Sequence, residues 1–283
     1  MRDQTQWSDY QDRINRVVDY IHDHLDDDLD LDTLAEVACL SRYHWHRVFH
    51  ALKGETVAQL VERLRLARAA RQLTSTDDPV ADIARVSGFN SARAFSRSFG
   101  KAYGMSPARY RRAGAHAVFQ SAKTQGNSTM FDVDIIDAPK RALHGFAHVG
   151  DYMGISRQFE HTFSTIAAQG LLPNMRGMVG IYYNDPSATP VDELQSFAGV
   201  LLEPGTPVPD ALETRELASG PVAVLHYKGP YSGMKPAYDW FYGTWLASSG
   251  REAGDMPPYE VYLNSPEDTA PNDLLTEIHL PLK

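Results

Sequence analysis

Glu260 stands inside PYEVYLN (258–264), a segment otherwise made for burial. Strand alternation puts Glu260 and Tyr262 on one face, with Tyr259, Val261 and Leu263 on the other. A carboxylate among aromatic rings is a receptor for cations: the charges pair, and the rings add cation–π attraction. A buried Glu with a raised pKa could instead act as acid or base on a reactive small molecule. Tyr152, Tyr182 and Tyr231 are candidate walls beside it. Phe241 and Trp245 continue a helical stripe from Met234 and Tyr238, which reads as pocket wall or as plain core. A second constellation is basic. Arg42, Tyr43, His46 and Arg47 form one polar face, and Arg93, Ser96, Arg97 and Lys101 another, while Val48, Phe49, Phe95 and Phe99 look inward. Arginine can grip guanine O6 and N7 in a bidentate way. His46 can donate to a base acceptor, and Tyr43 can meet a thymine methyl or a phosphate. Lys101 and Arg109 suit phosphate contacts, which position without specifying sequence. The alternatives are a solvated basic face and, for Arg47 and Arg97, intramolecular salt bridges.

Other chemistries lack their residues. No nucleophile motif, phosphate loop or zinc-protease motif stands out. His44, His46 and His50 contain one i, i+4 pair, His46/His50, but no third ligand nearby, so neither metal nor cofactor is expected. Cys39 is the single cysteine, which excludes an internal disulfide and a cysteine zinc site. A reducing cytoplasm fits. Hydrophobic residues make up 43% and charged residues 22%, an ordinary globular composition. No apolar run is long enough for a membrane span, and MRDQTQWSDYQDRIN does not read as a secretory signal.

The elements that must position these residues divide the chain. The formal net charge is -9. Residues 33–115 nevertheless hold 14 Lys+Arg against 6 Asp+Glu, and residues 116–283 hold 10 against 20. A basic block inside an acidic chain directs attention to nucleic acid. Its pattern is helical, with Ile14, Val17, Val18, Ile21 and Leu25 at helical spacing. A longer helix over about Val57–Leu73 is predicted to carry Leu60, Val61, Leu64, Ala67 and Leu73 on one stripe. Asp78-Pro79 and Ser106-Pro107 mark helix starts. Residues 113–128 read as a linker between a domain over 1–112 and another over 129–283. The core stripes of the first are expected to be complete within it. From Met130 strand patterns alternate with helical ones, so the second domain is α+β.

Each domain repeats internally. LAEVACLSRYHWHRVFHALKGETVAQ (34–59) matches IARVSGFNSARAFSRSFGKAYGMSPAR (83–109), with Arg47 against Arg97 and small residues, Cys39 and Gly88, at the turn. Two helix-turn-helix units joined by a long helix could address two major-groove segments about one DNA turn apart. In the second domain HVGDYMGI (148–155) matches YKGPYSGM (227–234), and GIYYNDP (180–186) matches EVYLNSP (260–266). Two pseudo-symmetric units are expected, with a groove at their junction. Glu260 then falls opposite Gly180, one side charged and the other roomy.

ADIARVSGFNSARAFSRSFGKAYGMSPARYRR (81–112) closely resembles the signature of AraC/XylS-type transcription regulators. The resemblance covers residues about 10–112 and implies seven helices in two helix-turn-helix units. It places base contacts at Tyr43, His46 and Arg47 and again at Arg93, Ser96 and Arg97. Gly100 departs from the family, which usually has Lys there. Residues 130–283 resemble a GyrI-like effector-binding domain, through the glycine–tyrosine pairs 150–152 and 229–231, WLASSG (245–250), PYEVYLN (258–264) and EIHLPLK (277–283). Ligand-binding members of that family carry a Glu matching Glu260. The order of domains is similar to that of Rob-type regulators. The resemblance implies a multidomain, cytoplasmic regulator, all-α then α+β. It would bind double-stranded DNA, sense a small cationic or aromatic effector, contact RNA polymerase as an activator, and work as a monomer or weak dimer away from membranes. Because the GyrI-like fold serves several functions, the alternatives are a small-molecule hydrolase and a protein-interaction module.

Overall fold

A computed structural model of the chain describes residues 3–27, 29–113, 130–266 and 268–283. Apart from Ala113, the expected linker at 113–128 lies outside the described residues. The first part contains helices α1 (Asp3–Asp23), α2 (Leu31–Ala38), α3 (Trp45–Lys53), α4 (Val57–Ser75), α5 (Val80–Val86), α6 (Ala92–Tyr103) and α7 (Pro107–Ala113). Their ends follow from side chains that satisfy free N–H groups. Asp30 accepts from Thr33 N at 3.1 Å, Thr56 and Gln59 form a capping box on α4, and Ser91 accepts from Ala94 N. Ser106 Oγ accepts from Arg109 N ahead of Pro107. At Asp78-Pro79 the proline itself occupies the cap position, and α5 begins at Val80 without a side-chain cap.

The two helix-turn-helix units share one turn geometry. Cys39 has φ 53° and Gly88 has φ 76°. Cys39 N bonds Glu36 O and Leu40 N bonds Ala35 O; Gly88 N bonds Arg85 O and Phe89 N bonds Ala84 O. Between the units α4 does not keep one stripe. Val57 and Leu60 face the core of the first unit, whereas Leu66, Ala69, Ala70 and Leu73 face that of the second. A helix serving two cores must rotate its buried face along its length, which leaves Ala67 only half-buried.

The second part is one eight-stranded antiparallel sheet: β1 (Val133–Ala138), β2 (Arg141–Val149), β3 (Met175–Tyr182), β4 (Gln195–Leu202), β5 (Glu213–Leu217), β6 (Gly220–Lys228), β7 (Tyr259–Tyr262) and β8 (Leu275–Pro281). Helix α8 (Ser156–Ala168) lies between β2 and β3. Helix α9 (Lys235–Trp240), continued by a π-helical turn over Phe241–Leu246, lies between β6 and β7. The spatial order is β1-β6-β8-β7-β3-β4-β2-β5. It reads the same from both edges once each strand is exchanged for its counterpart in the other repeat. The pseudo-two-fold passes between β7 and β3, where Gly180 is paired directly with Glu260. The edge strands are exchanged: β1 pairs with β6 of the second repeat and β5 with β2 of the first. Matching turns follow each G-x-Y motif. Gly150 N bonds Leu194 O and Gly229 N bonds Leu274 O. Asn184 and Asn264 side chains accept from Gln195 N and Leu275 N.

The core of the first unit is not complete within residues 1–112. One buried cluster joins Ile14, Ile21, Leu34, Trp45 and Phe49 to Phe241, Tyr242, Leu246, Ile278 and Leu280. Helix α3 lies against α9 and the π-helical turn, with Gly243 beside Ala51. By contrast the core of α5–α7, with Phe95, Phe99 and Tyr110, closes within the helical part.

Candidate functional site

Directly paired residues of an antiparallel ladder share a face, as do alternate residues of one strand. Met178, Gly180, Tyr182, Glu260 and Tyr262 therefore point the same way at the centre of the sheet. All but Gly180 line a cavity of about 620 Å³, a size suited to a drug-like molecule. Helix α8 closes one side with Phe159 and Phe163, and α9 the other with Tyr238. Tyr152 and Tyr231, from the two short turns after the paired glycines, also line it.

Glu260 is 6% exposed. Tyr238 Oη donates to Glu260 Oε1 at 2.8 Å, and Tyr262 Oη donates to Oε2 at 2.9 Å. The Tyr182 and Tyr262 hydroxyls are 2.6 Å apart. Burial pushes the Glu260 carboxyl up to about 6, against the pull of the two tyrosine bonds and Arg47. A carboxylate accepts about four hydrogen bonds. Two are taken, so it keeps capacity toward the cavity. The space left by Gly180 is not open, as the sequence repeat suggested. A Cβ there would sit 2.9 Å from Tyr262 Oη and 3.0 Å from the Tyr182 ring. The missing side chain makes room for the Tyr182–Tyr262 pair, of which Tyr262 donates to Glu260.

Phe241 and Trp245 do not line the cavity. Phe241 is fully buried in the core shared with α3, and Trp245 packs on it with ring centroids 5.2 Å apart. The π-helical turn widens the helix and breaks the stripe begun at Met234 and Tyr238, which do line the cavity.

The sequence did not point to the cavity's remaining walls. Arg47 and His50 reach it from α3. Arg47 is 8% exposed, donates to Tyr43 O at 2.7 Å and Asn184 O at 2.8 Å, and lies 5.7 Å from the Tyr238 and Tyr242 ring centroids. The Asn184 carbonyl also accepts from the Tyr152 hydroxyl at 3.0 Å. Asp185 is buried too. Burial pushes its carboxyl up, but Arg47 and the bonds from Ser187 outweigh this and hold it below the ordinary range. The lining carries five carboxylates, Asp151, Glu160, Asp185, Asp239 and Glu260, against two permanent cations, Arg47 and Lys235.

The expected reading positions of the first unit thus split. Arg42 is exposed, bonding Tyr43 Oη at 2.9 Å, and both precede the helix rather than lie on it. Tyr43 is half-buried, 6.3 Å from the Tyr183 ring. His46 is half-buried against Trp45, and burial pushes its pKa down to about 4. Arg47 cannot reach a base from where it lies, because the sheet domain covers it. Beside it His44 bridges the domains. Nε2 donates to Met256 O at 2.9 Å, so Nδ1 accepts from Tyr242 Oη at 2.9 Å. In the second unit Arg93, Arg97 and Lys101 are exposed on α6, and no ion pair engages them among the described residues. Ser96 is half-buried on the same helix.

Comparison with known proteins finds matches to both parts of the chain. A family profile described as a GyrI-like small molecule binding domain matches residues 131–283, more than half of the chain. A helix-turn-helix domain profile matches residues 34–113. The chain is 24% identical to the transcriptional regulator Rob of Salmonella typhimurium over 280 residues, covering 93% of this chain and 96% of that protein. It is 35% identical over 102 residues to YbfP of Bacillus subtilis, an uncharacterized HTH-type transcriptional regulator, covering 36% of this chain and 35% of the relative. The match to YbfP spans about a third of that protein. The crystal structure of the EcmrR C-terminal domain matches 55% of this chain and 99% of its own length, at 14% identity and a TM-score of 0.45.

Proposed function

The chain belongs to the GyrI-like small-molecule-binding family, carried behind an AraC-type helix-turn-helix part, and from that premise we propose a transcription regulator that binds double-stranded DNA and senses a small lipophilic cation over Glu260. The observation that carries the ligand class is the buried Glu260 carboxylate, held by two tyrosine hydroxyls in an aromatic cavity with five acids against two permanent cations. Apolar walls favour a flat or bulky aromatic body, and the carboxylate favours a positive charge next to it. Exposed Arg93, Arg97 and Lys101 on α6 support reading and phosphate contacts by the second unit, and Arg42 with Tyr43 support them at the first. Two DNA-reading units in one chain support action as a monomer, and the relatives' names support a regulator rather than an enzyme. Contact with RNA polymerase and a cytoplasmic location follow from that role.

Titration calorimetry with tetraphenylphosphonium as probe tests the sensor. Micromolar-range affinity, about -8 kcal/mol, is expected in the wild-type chain. Glu260→Gln keeps the shape and removes the charge, so affinity should fall about 10- to 100-fold while a neutral analogue of the same shape is spared. Because the carboxyl titrates at about 6, wild-type affinity should also weaken as pH drops below 6. Equal cation affinity in both proteins rejects Glu260 as the receptor.

A further inference from the structure

Helix α3, which carries the expected base-reading positions His46 and Arg47, forms part of the cavity wall. Arg47 and His50 of α3 line that cavity, and Arg47 Nη2 is spent on Asn184 O. Further polar contacts pin α1 and the start of α3 to the second domain. They include His44 with Tyr242 and Met256, Arg13 with Glu252 at 2.8 Å, and the Tyr10 hydroxyl, which donates to Arg251 O and accepts from Ala253 N, each at 3.3 Å. At the centre of the contact the helices touch through a glycine: a Cβ on Gly243 would lie 2.7 Å from Ala51 Cβ. The close approach therefore depends on Gly243, whose φ is ordinary and imposes no need for glycine of its own.

We propose that this arrangement is a shut state in which the cavity and the DNA compete for Arg47, and that a cation bound at Glu260 releases α3 to the major groove, so that the effector raises DNA affinity. The inference rests on the DNA-and-ligand reading above and adds the link between the two sites. Its physical basis is charge. Arg47 lies in the field of Asp185 and Glu260 and over two tyrosine rings, a setting that any other cation would also favour. A ligand cation on Glu260 cancels part of that attraction and adds like-charge repulsion in a poorly solvated space. A ligand shifts an equilibrium only through different affinities for its two states. Here the difference arises because Arg47 occupies the cavity wall in one state and not in the other.

The test uses the full chain with two readouts: amide hydrogen exchange of α3, and affinity for a duplex selected from a random pool by the wild-type protein. Gly243→Leu wedges α3 away without altering a cavity residue or an expected DNA contact. It should raise α3 exchange and raise DNA affinity about tenfold with no ligand present. Tyr242→Phe, a milder change that removes the hydroxyl at His44, should move both readouts the same way by about two- to threefold. In wild type, saturating tetraphenylphosphonium should reproduce the effect. Arg47→Ala should lose DNA affinity yet bind the probe more tightly, because the competing cation is gone; a purely structural Arg47 would not tighten it. Raised α3 exchange with unchanged or weaker DNA affinity in both opened variants overturns the shut state. Probe binding, seen by calorimetry, that leaves α3 and DNA affinity unchanged overturns the link while leaving the sensor reading intact. If the probe does not bind at all, the cation reading fails, and the Gly243→Leu and Tyr242→Phe arms still decide whether the domain contact withholds α3.

Discussion

Glu260 and Gly180 show what one break in symmetry does. They occupy the same position in two repeats and face each other across the pseudo-two-fold axis. Two carboxylates there would repel at close range, and two glycines would leave no charge on the cavity floor. One of each gives a single charge and room for the Tyr182–Tyr262 pair beside it, whose Tyr262 hydroxyl donates to the carboxylate. The charge carries a stability cost. The rise of the carboxyl from 4.5 to about 6 makes the folded chain the better proton binder between those values. Stability from this group is full below about pH 4.5 and is lost as pH rises through 6, a change of about 2 kcal/mol. Glu260→Gln has no charge to bury, so its urea midpoint relative to wild type should climb between pH 4.5 and 7.5. A flat difference would mean that the fold already compensates the charge. Much at this scale was legible in the sequence. Period-two alternation placed Glu260 with Tyr262, and the repeat pointed to Tyr152, Tyr182 and Tyr231, all of which line the cavity. The stripe through Tyr238 also pointed there, but Asp185, His50 and the inward turn of Arg47 were not legible in the same way. They depend on which distant helix packs on which, although Asp185 against Ser265 in the NDP and NSP turns is a second break in the repeat that could have drawn attention to it.

At the scale of elements, the duplicated turn makes a stability prediction. Cys39 holds the left-handed conformation that its counterpart Gly88 adopts without strain. Cys39→Gly should stabilise the chain by about 1 kcal/mol, since a side chain in that region is strained by roughly this much. Gly100, inside α6, has an ordinary φ, and the nearest atom a Cβ would meet is Met105 O at 4.0 Å. Gly100→Ala should therefore gain about 0.5–1 kcal/mol from helix propensity. Both are measured as shifts in the thermal midpoint; a loss in either would reveal a packing role that the turn and helix geometry do not show. Helix existence was readable from apolar spacing and caps. The rotation of the buried face along α4 and the π-helical turn after Trp240 were not, because each is set by tertiary demand on a helix that must satisfy two neighbours.

At the scale of the molecule, the boundary between domains lies in sequence but not in the hydrophobic core. The division into a helical part and an α+β part was plain from charge and pattern. That α1–α3 share a buried cluster with β6, β8 and the π-helical turn was not, because each stripe looks complete until its partner is placed. Native-state hydrogen exchange should therefore group α1–α3 with β6 and β8 in one cooperative unit, and α5–α7, whose core is self-contained, in another. Exchange that instead groups all the helices together and apart from the sheet would contradict the shared core.

The exchanged edge strands have a consequence in time. Strand β8 lies well inside the sheet, yet about 160 residues separate its first residue, Leu275, from Ala113 at the end of the helical part. During synthesis at about 5–20 residues per second, roughly ten to thirty seconds pass between the two. The sheet cannot close in that interval, because β1 emerges early and waits for β6, and β6 in turn for β8. A newborn chain thus displays α3 with nothing yet docked over it. For that window every freshly made molecule is in the open condition that we propose for the effector-bound mature chain.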